Sequence, residues 1–210
     1  MPTLTTTAPP LTFEQFLKQC PDEGRFEWVN GETIEMVNTR ERIDIAALIT
    51  KLLDREVDRL QLNYVVRQEV YLRTRNAEGK IRGRIPDVSV IDREQWRSDR
   101  VEVSALIDPI QLAVEVVSSN WENDYVDKLD EYQRLGIKEY WIVDYLACCE
   151  ADPCGIGSRD ILGEPKFPTV SIYTLNSEGI YERQGFQGDQ RLISLTFPEL
   201  SFTAQQLFDT

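Results

Sequence analysis

The chain has 210 residues, of which 41% are hydrophobic, 10% aromatic and 28% charged, and 36 acidic against 23 basic side chains leave a net charge of −13. That is enough chain for a buried core, and the composition excludes a wholly disordered chain, a collagen-like repeat and a disulfide-dense miniprotein. The acidity argues against nonspecific coating of nucleic acid or anionic membranes; a local basic surface or a bridging metal ion would be the route to DNA. There is no histidine. Ser-His-Asp triads, Cys-His pairs, zinc–histidine sites and a histidine base are therefore excluded, leaving carboxylate, lysine, tyrosine, cysteine and metal chemistry.

Residues 1–10 read as a flexible tail rich in Thr and Pro, without the basic and apolar regions of a signal peptide. Nothing approaches the length of apolar run that a membrane span needs. Residues 11–210 are expected to form one domain, with a core over 11–146, a loop over 147–168 and C-terminal strands over 169–210. The four cysteines, Cys20, Cys148, Cys149 and Cys154, lack paired C-x-x-C spacing. They read as free thiols of a cytoplasmic protein rather than a zinc site or disulfide framework.

In chain order, residues 11–19 form a helix with Thr12 as N-cap. Phe26–Val29, Asn30-Gly31 and Glu32–Val37 form a hairpin, because Asn-Gly suits a tight primed turn. Apolar residues at helical spacing predict one amphipathic helix over 40–61. Alternation then predicts strands over 64–73 and 84–91, joined by a turn at 76–80, and a strand over 111–117. A helix over 123–135 stops at Gly136, and 139–146 is a strong apolar strand. Residues 147–168 have little periodicity; their Cys154-Gly-Ile-Gly157 cluster lacks dinucleotide-binding context. Strands over 170–175 and 180–184, a terminal strand and a helical turn near 203–208 complete the chain. The order implies an α/β (α+β) domain with a mixed sheet flanked by helices and a small C-terminal antiparallel extension.

Three residues stand out chemically. Asp87, in Arg84-Ile-Pro-Asp-Val-Ser-Val-Ile91, is a carboxylate on an otherwise apolar strand, costly to bury without a metal or a basic partner. Glu115, in Gln111-Leu-Ala-Val-Glu-Val-Val117, shares its face with Ala113 and Val117. On a wheel of 123–135 at about 100° per residue, Lys128 falls inside an apolar arc of Tyr125, Val126, Leu129, Tyr132 and Leu135. Asp127, Asp130, Glu131 and Arg134 lie opposite. Two strand acids and an inward lysine fit metal-assisted hydrolysis, with hard oxygen ligands for the ion and the lysine orienting or activating water. Structural salt bridges and a snorkelling lysine are the plainer alternatives. Arg67, Arg73, Arg75, Lys80, Arg82 and Arg84 against only Glu69 and Glu78 make the 67–84 hairpin a candidate phosphate-facing surface.

These residues resemble the PD-(D/E)XK nuclease superfamily, and most closely its Uma-type restriction endonuclease family, long catalogued as a domain of unknown function. The resemblance rests on Phe26-Glu27-Trp-Val-Asn-Gly31-Glu32, Pro86-Asp87-Val88, Val114-Glu115-Val116-Val117-Ser118, the Lys128, Tyr132, Gly136 spacing, and Glu139-Tyr-Trp-Ile-Val-Asp144. It implies a restriction-endonuclease-like core and Mg²⁺- or Mn²⁺-dependent hydrolysis of DNA. Asp87 and Glu115 would bind the metal, with the Val116 carbonyl as a further ligand, and Lys128 would position or activate water. Glu27 is a lesser candidate acid and Tyr132 a pocket wall. The chain departs from the pattern in two places. Val117 stands where the superfamily carries its lysine, and Thr39-Arg-Glu-Arg42 replaces a region where many members have histidine. A non-catalytic binding or assembly protein on the same fold, paired as a homodimer through its C-terminal strands, is the second reading. A hydrolase of non-nucleic phosphodiesters is the third.

Overall fold

Thr12 caps helix α1 (Phe13–Gln19) in a reciprocal box: its hydroxyl accepts from the Gln15 N–H, and the Gln15 side chain accepts from the Thr12 N–H. The computed structural model describes residues 11–21, 23–36, 39–98, 105–117, 122–145 and 167–209. The 1–10 tail, Ser118, most of the 147–168 loop, its glycine cluster and Cys148, Cys149 and Cys154 lie outside them. Strands β1 (Phe26–Val29) and β2 (Glu32–Glu35) pair across Asn30 and Gly31 at φ of 54° and 87°, the positive values that a primed turn requires. Helix α2 (Arg40–Leu60) starts at a Thr39 cap and ends at a left-handed Gln61.

Each of the long strands expected over 64–73 and 84–91 is two strands. The first divides into β3 (Tyr64–Arg67) and β4 (Leu72–Arg75), with Glu69 between them at φ of 58°. The second divides into β5 (Ile81–Arg84) and β6 (Val88–Asp92), with Ile85-Pro86-Asp87 between them. Pro86 has no N–H to give to a ladder, and a left-handed residue breaks the pleat. Along 64–73 Tyr64, Val66, Val70 and Leu72 keep one parity across the first break, so the sequence pattern does not reveal it, whereas at the second the parity shifts from Ile81 and Ile85 to Val88 and Val90. Both arms of this hairpin pass from one sheet to another. β4 and β5 belong to a four-stranded antiparallel sheet of order β2-β1-β5-β4, while β3 and β6 belong to a larger one.

The larger sheet also takes β7 (Leu112–Val116), β8 (Glu139–Asp144), β9 (Thr169–Leu175) and β10 (Tyr181–Phe186), in the order β10-β9-β8-β7-β6-β3. Only β7 and β8 are parallel, and the connection between them carries the crossover helix that such a pair needs. That connection holds a π-helical segment, Asn123–Lys128, running into α4 (Leu129–Leu135), which ends at Gly136 with φ of 86°. The C-terminal hairpin extends the large sheet directly, along β8. A short helix, α3 (Arg93–Ser98), follows β6 and was not expected; it carries no buried residue, so no apolar stripe announces it. In place of a terminal strand, the described residues hold an isolated bridge between Arg191 and Thr203, followed by α5 (Gln205–Phe208).

Alternation on β7 sorts the two cores. Leu112, Val114 and Val116 pack with Ile45, Ile49 and Leu53 of α2. Ala113 and Val117 pack on the other face, with Tyr132 of α4 and Leu72 of the small sheet. Glu115 therefore points into the layer between the large sheet, the 123–135 helix and the small sheet. Asp87 stands where the two sheets part.

Candidate active site

Asp87 is 2% exposed, and burying a carboxylate there requires compensation. Its Oδ2 accepts from Arg42 Nε at 3.1 Å, from Arg42 Nη2 at 2.9 Å and from the Val116 N–H at 2.7 Å. Its Oδ1 accepts from Arg25, whose Nη2 also donates to the Ile85 carbonyl. Arg42 comes from the first turn of α2, and its Nη2 is 3.8 Å from Glu115 Oε2 as well. One guanidinium thus bridges the two strand acids.

Glu115 and Lys128 are both fully buried. Tyr132 donates its hydroxyl to Glu115 Oε1 at 2.8 Å. Lys128 Nζ lies 2.9 Å from Glu115 Oε2, 3.1 Å from Glu27 Oε1 and 3.1 Å from Asp124 Oδ1. These are charge contacts: Lys128 Nζ, Glu115 Oε2 and Glu27 Oε1 all lack a partner at hydrogen-bonding angles. Burial pulls the Lys128 ammonium down, but the carboxylates of Glu115, Glu27 and Asp124 outweigh it and hold its pKa well above the usual lysine range. Burial pushes Glu115 up to about 7; Lys128 opposes the rise and the neighbouring acids add to it. Burial likewise raises Asp124, against the pull of Lys128. Burial pushes Glu27 up as well, yet Lys128 and Arg84 together bring it to about 2.

A second cluster adjoins the first through Glu27. Arg84 Nη1 donates to Glu27 Oε2 at 2.7 Å and to Asn123 Oδ1 at 3.1 Å. Its Nη2 and Nε grip the two oxygens of Glu131 at 2.7 and 2.8 Å, and Thr74 donates to Glu131 Oε2 at 2.6 Å. Two expectations are corrected here. Arg84 and Arg82 are buried, at 2% and 8% exposure, so they are not part of a phosphate-facing hairpin; Arg67, Arg75 and Lys80 are exposed. Glu131 was placed on the solvent side of the helix and is buried, whereas Val126, placed inward, is 59% exposed. The π-helical turn bonds i to i+5 and carries more residues than an α turn. A 100° wheel therefore drifts across 123–128.

The sheet fork, the N-terminal turn of α2 and the 123–135 helix bring Asp87, Glu115, Lys128, Glu27 and Tyr132 together. Sequence reasoning missed Arg25, Arg42, Asp124 and Glu131. Asp124 had a signal, the i, i+4 spacing to Lys128. Arg42 had one in the departure at Thr39–Arg42. Arg25 had none. A cavity of about 370 Å³ opens at Asp87, lined by it, Arg25 and Arg42 with Gly24, Glu35, Gln68 and Glu69 among others, and not by Glu115 or Lys128. Among the described residues no three acid or thiol side chains form a ready metal site. The donors nevertheless suit a hard divalent ion: one carboxylate on β7 and one just before the adjacent β6, with Glu115 Oε2 buried and lacking a hydrogen-bond partner.

Comparison with known proteins bears on this geometry. The profile of the Uma2 family, described as "Putative restriction endonuclease", matches residues 13–205. A crystal structure of "a putative nuclease belonging to DUF820" from Anabaena variabilis superposes with a TM-score of 0.67 at 17% sequence identity, covering 95% of this chain and 98% of that one. At that identity the likeness speaks for the fold. None of the curated proteins matches the chain.

Proposed function

The chain belongs to the Uma2 family, and from that premise we propose that it is a divalent-metal-dependent endonuclease hydrolysing DNA phosphodiester bonds. The observation that carries the reading is the fully buried Lys128 ammonium, 2.9 Å from Glu115, while Asp87, joined to Glu115 through Arg42, lines an open cavity. Asp87, Glu115 and the Val116 carbonyl would hold Mg²⁺ or Mn²⁺. Such an ion supplies Lewis-acid polarisation of the phosphate and lowers the pKa of a bound water. Lys128, kept as an ammonium by three carboxylates, is a donor and not a base. It orients the attacking water or steadies charge growing on the phosphate, and it does not take the water's proton. Tyr132 fixes the Glu115 carboxylate, and Glu27, tied to Arg84, fixes the lysine. The Arg42 bridge across both acids favours the second reading, a non-catalytic binding protein on this fold.

One experiment decides between them. Supercoiled plasmid and single-stranded DNA are incubated with the protein and Mg²⁺ or Mn²⁺, beside chelator and Lys128→Met controls. The nuclease reading expects cutting that chelator abolishes and that Lys128→Met slows by about 10²–10³-fold. Folded protein that cuts neither substrate, or a lysine variant that cuts at the wild-type rate, overturns it.

A further inference from the structure

Arg42 occupies the space that a metal shared by Asp87 and Glu115 would need. Its Nη2 is 2.9 Å from one carboxylate and 3.8 Å from the other, and its Nε secures the same Asp87 oxygen. A divalent ion and a guanidinium cannot both lie between these carboxylates at contact distance, because their like charges repel. The remaining nitrogen, Arg42 Nη1, is buried with no hydrogen-bond partner, as is Arg25 Nε, and both residues line the cavity beside Asp87. Arginine forks match phosphate as well as carboxylate. Three carboxylates, Glu35, Glu69 and Asp87, share that wall with the two arginines, so a phosphate alone meets an acidic lining. A metal alone must displace Arg42. Together, each removes the obstacle to the other.

We propose that Arg42 is a positioning residue that closes the acid pair in the resting protein and transfers its guanidinium to a substrate phosphate, so that metal and DNA bind cooperatively. The inference rests on reading Asp87 and Glu115 as metal ligands. Linkage then requires that DNA tighten metal binding by the same factor as metal tightens DNA binding.

The test is calorimetric titration of Ca²⁺, which takes the same oxygen ligands, into wild type, Arg42→Ala, Arg42→Lys and Asp87→Asn, each with and without a short DNA duplex. In wild type the duplex tightens Ca²⁺ binding by about tenfold or more. Arg42→Ala binds Ca²⁺ tightly without DNA and loses the coupling; Asp87→Asn loses Ca²⁺. Circular dichroism checks the fold of each variant. If Arg42→Ala does not fold, Arg42→Lys carries the test, because a compact ammonium cannot bridge both acids and must also weaken the coupling. If the arginine variants bind Ca²⁺ no tighter than wild type and keep the coupling while Asp87→Asn loses the ion, the Arg42 proposal fails and the metal-site reading stands. If neither wild type nor the arginine variants bind Ca²⁺ with or without DNA, both fail.

Discussion

Glu27 and Glu115 are both buried, and both lie about as far from the Lys128 ammonium, at 3.1 and 2.9 Å. Their carboxyls nevertheless move in opposite directions, Glu27 to about 2 and Glu115 to about 7. The difference is in their other neighbours. Glu27 also faces Arg84, a guanidinium whose donors reach Glu27, Asn123 and both oxygens of Glu131. Glu115 faces Asp87 and Asp124, two more acids, with a hydroxyl from Tyr132 and a distant edge of Arg42. In the Arg84 half of the polar layer, Arg84, Glu131 and Thr74 are all hydrogen-bonded and form a strut. The Glu115 half holds buried charge with orphaned atoms, and its Asp87 and Arg42 line a cavity, the condition in which a protein retains ligands or reactants.

If that contrast is right, the largest stability loss comes from the strut. Arg84→Ala strands Glu27 and Glu131 without their cation and should cost about 3–5 kcal/mol, read by denaturant unfolding. A loss no larger than that of an exposed arginine such as Arg75 would break the distinction. The next effect is on pH dependence. The folded-state pKa of Glu27 lies below its unfolded value of 4.5, so its contribution is present above pH 4.5 and disappears as pH falls toward 2. It amounts to about 3 kcal/mol at most. Unfolding of Glu27→Gln and wild type across that window should show the gap between them closing as pH falls; a constant gap would contradict the assignment. The smallest effect is at Thr74, whose hydroxyl supports Glu131 at 2.6 Å. Thr74→Val should cost about 1 kcal/mol in stability and leave the metal dependence of any cleavage unchanged.

The sequence carried the elements whose signals are local. A capping residue, an Asn-Gly turn and a 3.6-residue period marked α1, the first hairpin and α2 to within two or three residues. The strand break at Glu69 was hidden because the apolar parity of 64–72 runs through it, whereas at Pro86 the proline and the shift in parity marked a break that was not read. That mattered for the site, since Asp87 is placed by the break itself. Alternation on β7 turned Glu115 toward the helix, and a wheel turned Lys128 toward the sheet. The same wheel misplaced Glu131 and Val126 because it assumes an α-helical turn where a π turn occurs. Arg25 and Arg42 reach Asp87 from 62 and 45 residues away. No local pattern encodes a contact of that separation: Arg42 was marked only by the departure at Thr39–Arg42, and Arg25 by nothing.

The central claim is that Glu115 serves chemistry while the neighbouring strut serves stability, and Glu115→Gln tests it most directly. Glutamine is isosteric with glutamate and can still accept from the Tyr132 hydroxyl, and Glu27 and Asp124 continue to face the Lys128 ammonium, so the fold should survive the substitution. The measurement is the rate of metal-dependent nicking of supercoiled plasmid by the two proteins, each scaled to its folded fraction. The account predicts that Glu115→Gln folds and does not nick. A folded Glu115→Gln that nicks at the wild-type rate would contradict it.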